Sequence, residues 1–329
     1  MKIKFLIIRF SSIGDIVLTT PVIRCLKQQV ENAEIHYTTK KQFASIINTN
    51  PYIDKIHLLD GKLNDLINEL KKENFDYIID LHNNLRSSII KTRLKALAFS
   101  FNKINLQKWL MVTFKVNKLP KKHIVERYLE TCKIFGVEND NIGLDFFIEK
   151  TNEVNLKSIP DRFKNGYAAI VIGAKHNTKQ LPVEKLARLC KEINCPIILL
   201  GGKEDNEKAK IVIEKSGKNE ILNACGNYNL QQSASLVKQA KVVITHDTGL
   251  MHIAAAFNQH IISVWGNTMP EFGMFPYQPG KGSVIFEVKN LRCRPCSKLG
   301  YSKCPKGHFD CMNKQDLTGI AEKCNGLIN

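Results

Sequence analysis

The sequence has no long apolar run. Near its start the longest uninterrupted apolar stretch is Phe5–Ile8, whereas a signal peptide needs roughly 7–15 such residues. No later stretch approaches the roughly 18 residues of a membrane-spanning helix. We therefore expect a chain that is neither exported nor membrane-spanning. In the reducing cytosol its ten cysteines are then expected to be thiols or metal ligands rather than a disulfide framework.

Two phosphate-binding motifs are also missing. The first strand is not followed by a Gly-x-Gly-x-x-Gly fingerprint, and no Walker A sequence occurs, so a dinucleotide-dependent dehydrogenase and a P-loop enzyme lose most of their support. Short repeats and low-complexity tracts are absent as well. With 43% hydrophobic and 24% charged residues among 329, the composition is that of a globular protein of about two domains.

Acidic residues are in the minority. Lys plus Arg number 48 against 31 Asp plus Glu, a formal charge of +17 that points to a polyanionic partner. Eleven basic residues and only Glu126 lie in the stretch from Arg86 to Arg127, which also carries Trp109 and Phe114. Basic and aromatic residues together are typical of a surface that meets anionic lipid or glycolipid. A solvated basic face without a partner explains the pattern equally well.

Short β-branched runs alternate with helical patterns in two blocks, which is the signature of parallel sheets covered by helices. In the first block, strands are predicted at Ile3–Ile8, Glu34–Thr38, Lys55–Leu59, Tyr77–Leu81 and Ala98–Phe101, and helices at Ile16–Val30, Leu63–Lys72, Leu85–Leu97 and His123–Phe135. In the second block, strands are predicted at Ala168–Ile172, Ile197–Leu200, Ile221–Asn223, Val242–Thr245 and Ile261–Val264, with helices between them.

The two blocks predict an α/β fold with two doubly wound, Rossmann-like domains. Ligands of such folds bind beyond the carboxyl ends of the strands, so we expect the functional residues in a crevice between the domains. The polar segment 149–166 contains Pro160 and lacks periodicity, and we place the boundary there. The predicted domains are residues 1–155 and 165–312. A final helix within 313–329 is expected to return to the first domain.

A polar turn, Ser11-Ser12-Ile13-Gly14-Asp15, follows the first strand. Gly14 permits a tight strand-to-helix turn, and free amides at the helix start favour an anion or a carboxylate. Asp15 is then either a carboxylate that stabilises its own helix by roughly 0.3–1 kcal/mol or a general base that takes a proton from a hydroxyl. The helix dipole weakens a base at this place unless burial opposes it.

The densest motif is THDTGLMH at residues 245–252, where a predicted strand ends and an apolar helix begins. Free amides at Thr248 and Gly249 suit a diphosphate, and Asp247 can accept hydrogen bonds from sugar hydroxyls. Helix capping by Asp247 or Thr248, and a buried core position for His252, are the structural alternatives. Lys179 precedes a second helix start, where a lysine can neutralise a leaving diphosphate, although a solvated surface lysine is the commoner case.

These segments resemble the ADP-heptose:lipopolysaccharide heptosyltransferases, glycosyltransferase family 9. The matching stretches are IIRFSSIGDIVLTTPVIRCLK, KQLPVEKLARL, GGKED and ITHDTGLMHIAAA followed by ISVWGNTMPE, and the resemblance covers nearly the whole chain. It implies the GT-B architecture. It also implies inverting, metal-independent transfer of a heptose from ADP-heptose to a lipopolysaccharide core acceptor, with a nucleotide-sugar co-substrate and no cofactor.

The resemblance also assigns site residues. Asp15 is the implied base and Lys179 the implied contact to the donor phosphates, although Leu181 stands where the family usually has tryptophan. The implied donor-binding residues are Asp247, Thr248, Gly249, Leu250 and His252, with Tyr228 near the adenine and Glu204 or Asp205 near the ribose. The acceptor candidates are Ser12, Gly14, Arg86, Lys91 and Arg93.

The expected setting is a monomer on the cytoplasmic side of the inner membrane, peripherally bound to its surface and to the glycolipid acceptor, without nucleic acid. One alternative is a GT-B transferase that uses another nucleotide sugar and another glycan. A second is a non-catalytic polyanion-binding protein, which the charge alone supports and no RNA-binding motif does.

The tail is rich in cysteine. Cys293, Cys296, Cys304 and Cys311 could form a tetrahedral zinc site, but only the first two have the close spacing of a zinc-binding pair. A structural tail that packs near the crevice is the preferred interpretation.

Overall fold

The computed structural model describes residues 2–328, and the chain divides into two compact units. The N-terminal unit comprises the chain through Ile104 and Lys122–Phe147, and the C-terminal unit comprises Asn105–Lys121 and the chain from Ile148 onward. This division differs from the predicted domains 1–155 and 165–312. The boundary falls before the polar segment, and an excursion from the first block packs within the second unit.

The N-terminal unit is built on a five-stranded sheet in the order β3-β2-β1-β4-β5, in which all pairs are parallel. Its strands are β1 Ile3–Ile8, β2 Ala33–Lys40, β3 Lys55–Leu59, β4 Tyr77–Asp80 and β5 Leu97–Ser100. Its helices are α1 Ile13–Val17, α2 Thr20–Gln29, α3 Leu63–Lys71, α4 Leu85–Leu94 and α6 Ile124–Leu129, the last continued by a 3-10 turn at Glu130–Phe135. The core on one sheet face includes Leu6, Ile8, Leu66, Ile78 and Ile90.

The predicted helix Ile16–Val30 is divided into α1 and α2. The Thr19 hydroxyl donates to the Ile16 carbonyl at 2.6 Å, and the Thr20 hydroxyl donates to the Val17 carbonyl at 2.8 Å. Pro21, which has no N–H, occupies the first turn of α2. These three residues end one helix and begin the next, which leaves α1 as a short turn directly after β1.

The C-terminal unit is built on a six-stranded sheet in the order β11-β10-β9-β6-β7-β8, again parallel throughout. Its strands are β6 Ala168–Val171, β7 Ile197–Leu200, β8 Ile221–Asn223, β9 Val242–His246, β10 Ile261–Trp265 and β11 Val284–Glu287. Its helices are α5 Asn105–Phe114, α7 Val183–Glu192, α8 Asn206–Ser216, α9 Leu230–Gln239, α10 Gly249–Ala256, α11 Asp310–Asn313 and α12 Leu317–Ile328.

The final helix α12 does not return to the first unit. Its apolar residues Leu317, Ile320, Ala321 and Cys324 are buried in the core of the C-terminal sheet. Asn325 fixes the helix at its end, because its amide group bonds the Glu192 carbonyl and the Asn194 amide beyond α7. The expected return of this segment is therefore wrong, because its apolar face is already used within the second unit.

The basic stretch is also divided between the units. Helix α5 and the residues after it, including Lys108, Lys115 and Lys118, belong to the C-terminal unit, so the expectation of one basic face on the first domain is wrong. The Lys115 ammonium donates to the Pro295 carbonyl at 2.7 Å, which ties the stretch to the cysteine-rich tail. Among residues 2–328, none of the helices is long and apolar enough to cross a membrane.

Candidate active site

The strand order places a ligand-binding edge in each unit. In a doubly wound sheet, the loops after two adjacent strands separate where the order reverses, and ligands bind at that switch point. The switch lies between β1 and β4 in the N-terminal sheet and between β6 and β9 in the C-terminal sheet. The loop with Asp15 follows β1, the loop with Lys179 follows β6, and the loop with Asp247 follows β9. The fold therefore brings the predicted residues to the two switch points.

Asp15 lies in the first turn of α1, and both oxygens of its carboxylate have hydrogen-bonding partners. The Ser12 hydroxyl donates to Oδ2 at 2.7 Å and the Ser12 amide at 3.2 Å, while the Arg9 guanidinium contacts Oδ1 at 2.6 Å. Ser12, an acceptor candidate, thus orients Asp15, and Gly14 is buried within α1. The side chain of Asp15 remains one-fifth exposed, so it is held in one direction yet reachable from solvent.

Arg9 is a site residue that the sequence analysis did not identify. It is buried, and it also donates to the Leu81 carbonyl at 2.6 Å and to the Tyr128 hydroxyl at 3.0 Å. Burial lowers the pKa of Arg9, but Asp15, Tyr128 and Tyr37 together outweigh it, so the net shift is upward. Its only sequence signal is a basic residue directly after a buried strand.

The loop after β4 completes this edge. His82 packs edge-on against Phe10, and burial, together with the charges of Arg9 and Lys103, lowers the pKa of His82 to about 4. It is therefore neutral near pH 7. Nothing in the local sequence pattern separates this histidine from a core residue, so it could not be identified as a site residue before the structure.

The basic acceptor candidates on α4 differ in their surroundings. Lys91 contacts the buried carboxylate of Asp80 at 2.8 Å and the Ser100 hydroxyl at 2.7 Å. A buried carboxylate needs such a partner, so Lys91 stabilises the sheet edge. Arg86 and Arg93 are exposed and remain candidates for binding an anion.

Lys179 and Asp247 are brought together in the C-terminal unit. The Lys179 ammonium forms an ion pair with Oδ2 of Asp247, and the Thr268 hydroxyl donates to the same oxygen at 3.0 Å. Lys179 is 15% and Asp247 13% exposed, so both charges are partly desolvated. Lys179 is thus no solvated surface lysine, which was the commoner interpretation of its position.

Helix α10 presents its N-terminus at the same place. Its N-cap residue Thr248 is extended and makes no side-chain capping hydrogen bond; its hydroxyl lies 3.3 Å from that of Thr245. The leading amides, at Gly249 and Leu250, therefore carry no cap from Thr248, and such amides attract anions. A lysine and a helix N-terminus at one switch point form a chemical arrangement suited to a phosphate group.

Two histidines of the THDTGLMH motif are buried. His246 accepts the Leu181 amide hydrogen at its Nε2 atom, at 3.0 Å, and burial together with Lys208 lowers its pKa to about 3. It is neutral and links the β9 end to the loop before α7. His252 lies inside α10 and is 2% exposed, which matches the buried core position named as its alternative.

The remaining candidates for binding the sugar-nucleotide donor lie beyond the ends of β7 and β8. Asp205 is buried, accepts the Gly202 amide at 2.9 Å, and packs so tightly on Gly173 that a Cβ there would lie 2.0 Å from its oxygen. The Asp205 carboxylate therefore fixes the conformation of the loops that follow β6 and β7. Glu204 is exposed and Tyr228 half-buried, so both can contact a ligand.

Lys208 was also missed by the sequence analysis. Its ammonium donates to the Ile172 carbonyl at the end of β6 and to the Gln180 side chain, both at 2.9 Å. Burial lowers the pKa of Lys208 to about 8. It adds a second positive charge near the loop of Lys179, and its position on α8 gave no signal among the neighbouring charged residues.

The cysteine-rich tail is hydrogen-bonded to the loop of Lys179 and to the loop of Thr268. Beside Lys179, the amide and the hydroxyl of Thr178 donate to the Tyr301 carbonyl at 3.2 and 3.1 Å, and the Tyr301 amide donates to the Thr178 hydroxyl at 2.8 Å. Arg294 donates to the carbonyls of Gly266 and Thr268 at 2.7 and 2.8 Å. The predicted packing of the tail is thus seen within the C-terminal unit, where it holds Lys179 and Thr268 in place.

The four tail cysteines do not form a compact ligand set. Within residues 2–328, only His36, His57 and Glu73 form a group of three or more His, Cys, Asp or Glu side chains whose ligand atoms all lie within 4.8 Å of one another. Cys293 lies 3.8 Å from Nε2 of His308, and Cys311 is buried. The zinc site proposed for Cys293, Cys296, Cys304 and Cys311 therefore stays a prediction.

Comparison with known proteins decides the family. A model described as glycosyltransferase family 9 (heptosyltransferase) matches residues 63–302. The chain belongs to glycosyltransferase family 9. Lipopolysaccharide heptosyltransferase 1 of Campylobacter coli is 27% identical to this family 9 enzyme over 315 residues, which cover 88% of this chain and 92% of the relative.

Solved structures share the fold of this family 9 glycosyltransferase. The E. coli ADP-heptose lps heptosyltransferase II aligns with a TM-score of 0.74 at 18% identity, covering 99% of this chain and 98% of the other. The E. coli heptosyltransferase WaaC with ADP-2-deoxy-2-fluoro heptose aligns with a TM-score of 0.66 at 21% identity, covering 98% of both. The predicted GT-B class with two parallel-sheet α/β domains is confirmed. The chain is an enzyme, so the non-catalytic alternative is set aside.

Proposed function

We propose that this glycosyltransferase moves a heptose from ADP-heptose to a lipopolysaccharide core acceptor, with inversion at the anomeric carbon and without a catalytic metal ion. The observation that carries the proposal is the Lys179–Asp247 pair beside the start of α10. WaaC was solved with ADP-2-deoxy-2-fluoro heptose, and the Campylobacter coli relative is a lipopolysaccharide heptosyltransferase; both support the choice of donor and acceptor.

The donor half of the reaction requires positively charged or hydrogen-donating protein groups beside the departing diphosphate, which gains negative charge. Lys179 has three N–H donors. One of them bonds Asp247, so the others can donate to phosphate oxygens. The amides of Gly249 and Leu250 supply further donors, and fixed donors of this kind stabilise charge as it develops. Asp247 accepts from the donor sugar and positions Lys179. This arrangement can supply the charge that a divalent cation supplies in other transferases.

The acceptor half needs a base. Asp15 is fixed by Ser12 and Arg9 and remains partly exposed. We propose that it takes the proton of the acceptor hydroxyl as the oxygen attacks the anomeric carbon and the bond to ADP breaks. The Arg9 guanidinium and the Ser12 hydroxyl hold this carboxylate in one orientation. Neutral His82 on the same edge leaves the proton with Asp15.

Substitution of Asp15 tests the base. Asp15→Asn is expected to lower turnover by about 100-fold or more, while ADP binding by calorimetry stays unchanged, because the donor residues lie in the other unit. Ser12→Ala is the matched control: it keeps the carboxylate and removes one hydrogen bond, so its turnover is expected to fall by at most about tenfold. Unchanged turnover in Asp15→Asn would remove Asp15 from the mechanism.

The choice of nucleotide is tested separately. Calorimetric titration is expected to show binding of ADP and none of UDP or GDP. Tighter binding of UDP or GDP would support the alternative of another nucleotide sugar on the same architecture. Turnover is expected to survive chelation of metal ions for as long as the fold stays intact.

The proposed setting is the cytoplasmic surface of the inner membrane, where the enzyme acts as a monomer. Support comes from α5 and the residues that follow it. Leu106, Trp109, Phe114 and Val116 expose 43–64% of their surface and lie among several lysines. Such a surface can bind an anionic leaflet that holds the glycolipid acceptor. In the N-terminal unit, the exposed Arg86 and Arg93 are proposed to bind anionic groups of the acceptor.

A further inference from the structure

A cluster of ionisable side chains lies in the N-terminal unit, outside the residues used above. His36 is on β2, His57 on β3, and Glu73 follows α3. Both imidazoles are buried, with exposures of 1% and 0%. Leu6, in the middle of β1, pairs in register with His36, whereas the turn carrying Asp15 follows the end of β1. The cluster is thus set back from the edge that carries Asp15.

The outer nitrogens of the two imidazoles face carboxylates. Nε2 of His36 lies 2.9 Å from Oε1 of Glu34, and Nδ1 of His57 is hydrogen-bonded to Oε1 of Glu69. An ionised carboxylate can only accept, so each of these nitrogens carries the hydrogen. The inner nitrogens, Nδ1 of His36 and Nε2 of His57, then both present lone pairs. They lie 2.9 Å apart.

Two lone pairs at that distance repel unless a cation lies between them. A shared proton satisfies two nitrogens, but a third group also faces the same point. Oε2 of Glu73 lies 4.0 Å from Nδ1 of His36, and all three ligand atoms lie within 4.8 Å of one another. The Lys55 ammonium engages the other oxygen, Oε1, and the Lys4 ammonium lies 3.7 Å from Oε2. Oε2 of Glu73 therefore faces both the Lys4 ammonium and the two imidazoles, and a carboxylate oxygen has lone pairs for both.

We propose that Nδ1 of His36, Nε2 of His57 and the Glu73 carboxylate bind one divalent transition-metal ion, with zinc as the best match. Two imidazoles and one carboxylate are a common zinc donor set. Imidazole ligands ordinarily donate their second nitrogen to a carboxylate, which is the role of Glu34 and Glu69 here. The inference is independent of the proposed function.

The required movement is small. Zinc with bonds of roughly 2.0–2.1 Å holds two ligand atoms about 3.4 Å apart in tetrahedral geometry. The imidazole nitrogens, 2.9 Å apart, must therefore separate by about half an ångström. Oε2 of Glu73, 4.0 Å from Nδ1 of His36, must approach by about 0.6 Å. The ion would join β2, β3 and the end of α3, all at one side of the sheet. Its role is then to stabilise the N-terminal unit, since it lies away from Asp15.

The test is metal uptake by the full chain. Protein treated with a chelator and then freed of it is titrated with Zn²⁺ by calorimetry, and with Co²⁺ by visible absorption. We expect one equivalent to bind and the thermal midpoint to rise. The Co²⁺ spectrum should lack the intense near-ultraviolet band of thiolate ligands, which distinguishes this site from the tail cysteines. A Cys293→Ser, Cys296→Ser double variant should bind equally well.

Variants assign the ligands. Glu73→Gln keeps the size of a side chain that is 15% exposed and should fold, while its affinity for Zn²⁺ should fall by about tenfold or more. Glu69→Gln, which alters only the supporting carboxylate, should lower the affinity by about 10–100-fold. His57→Gln should abolish binding, and His260→Gln, remote in sequence, should not change it. Failure to bind Zn²⁺ or Co²⁺, or binding that Glu73→Gln and His57→Gln leave intact, would overturn the proposal in favour of a shared proton.

Discussion

At the scale of single residues, Asp247 shows how two hydrogen-bond donors fix the orientation of a carboxylate. Its Oδ2 atom receives both the Lys179 ammonium and the Thr268 hydroxyl at 3.0 Å. Hydrogen bonds to charged groups contribute about 1.5–3 kcal/mol. Thr268→Val preserves the shape and removes the hydroxyl, which frees Asp247 to turn. We expect kcat/KM for the sugar nucleotide to fall about tenfold or more, measured by steady-state kinetics at saturating acceptor.

A matched control separates this effect from a general loss of stability. Thr92→Val on α4 removes a hydroxyl that bonds only the Ser88 carbonyl of its own helix and should leave the kinetics unchanged. Equal kinetics in Thr268→Val and the unmodified enzyme would mean that the hydroxyl has no part in placing Asp247.

The residues of the site were predictable only in part. Asp15, Lys179 and Asp247 could be identified because each follows a recognisable buried strand, and strand ends meet at the switch point. Arg9 and Thr268 could not, since their partners Asp15 and Asp247 lie on other loops and only folding reveals the contact. The sequence also could not exclude the solvated alternative for Lys179, because the carboxylate that holds it lies 68 positions away.

At the scale of elements, Arg24 joins α2 to the segment that closes the N-terminal unit. The side chain is 2% exposed, and its guanidinium contacts Asp140 at 2.7 Å and also contacts Asp145. Removing one partner of a buried ion pair leaves uncompensated charge. Arg24→Met is therefore expected to lower the free energy of unfolding by about 3–5 kcal/mol, measured by urea denaturation.

Lys27 on the same helix provides the comparison. Its pair with Asp54 is about one-third exposed at both ends, and exposed pairs contribute about 0–1 kcal/mol. Lys27→Met should change the free energy of unfolding by no more than that. Equal effects of the two substitutions would show that burial does not set the strength of these pairs.

Helix α5 gives a prediction about surfaces. Trp109 and Phe114 contact each other edge-on with ring centroids 5.2 Å apart, and both are about half exposed. Trp109→Ala combined with Phe114→Ala should weaken binding to anionic phospholipid vesicles by about tenfold in a sedimentation assay, because the apolar contribution is lost while the lysines remain. Ile134→Ala, which removes a 69% exposed apolar residue elsewhere, should have no effect.

The elements show where sequence patterns stop being informative. The bounds of β1, β3, β7 and β8 were predicted to the residue, because a buried parallel strand is a short apolar run between polar ends. The break between α1 and α2 was missed, since it depends on hydroxyls of Thr19 and Thr20 bonding the preceding turn. Helix α5 was missed because none of its residues is buried, so no apolar face marks its period.

At the scale of the whole molecule, each unit carries a neutral histidine next to its ligand-binding edge: His82, which is partly buried, and His246, which is buried. The pKa of His82 is lowered to about 4, and that of His246 to about 3, mainly by burial. In the unfolded chain both titrate near 6.5. As the pH falls below 6.5, the unfolded chain binds protons that the folded chain does not, so the stability present above pH 6.5 is lost progressively toward pH 4.

This predicts a pH-dependent free energy of unfolding with a sign opposite to that of a surface histidine paired with a carboxylate. For His246 the loss by pH 5 is about 2 kcal/mol, because each pH unit below 6.5 costs about 1.36 kcal/mol. Urea denaturation between pH 7 and pH 5 measures the slope. His246→Asn, whose amide oxygen can still accept the Leu181 amide, should flatten it, whereas His260→Gln should not. If His246→Asn retained the full slope, protonation of His246 could not be what destabilises the C-terminal unit in acid.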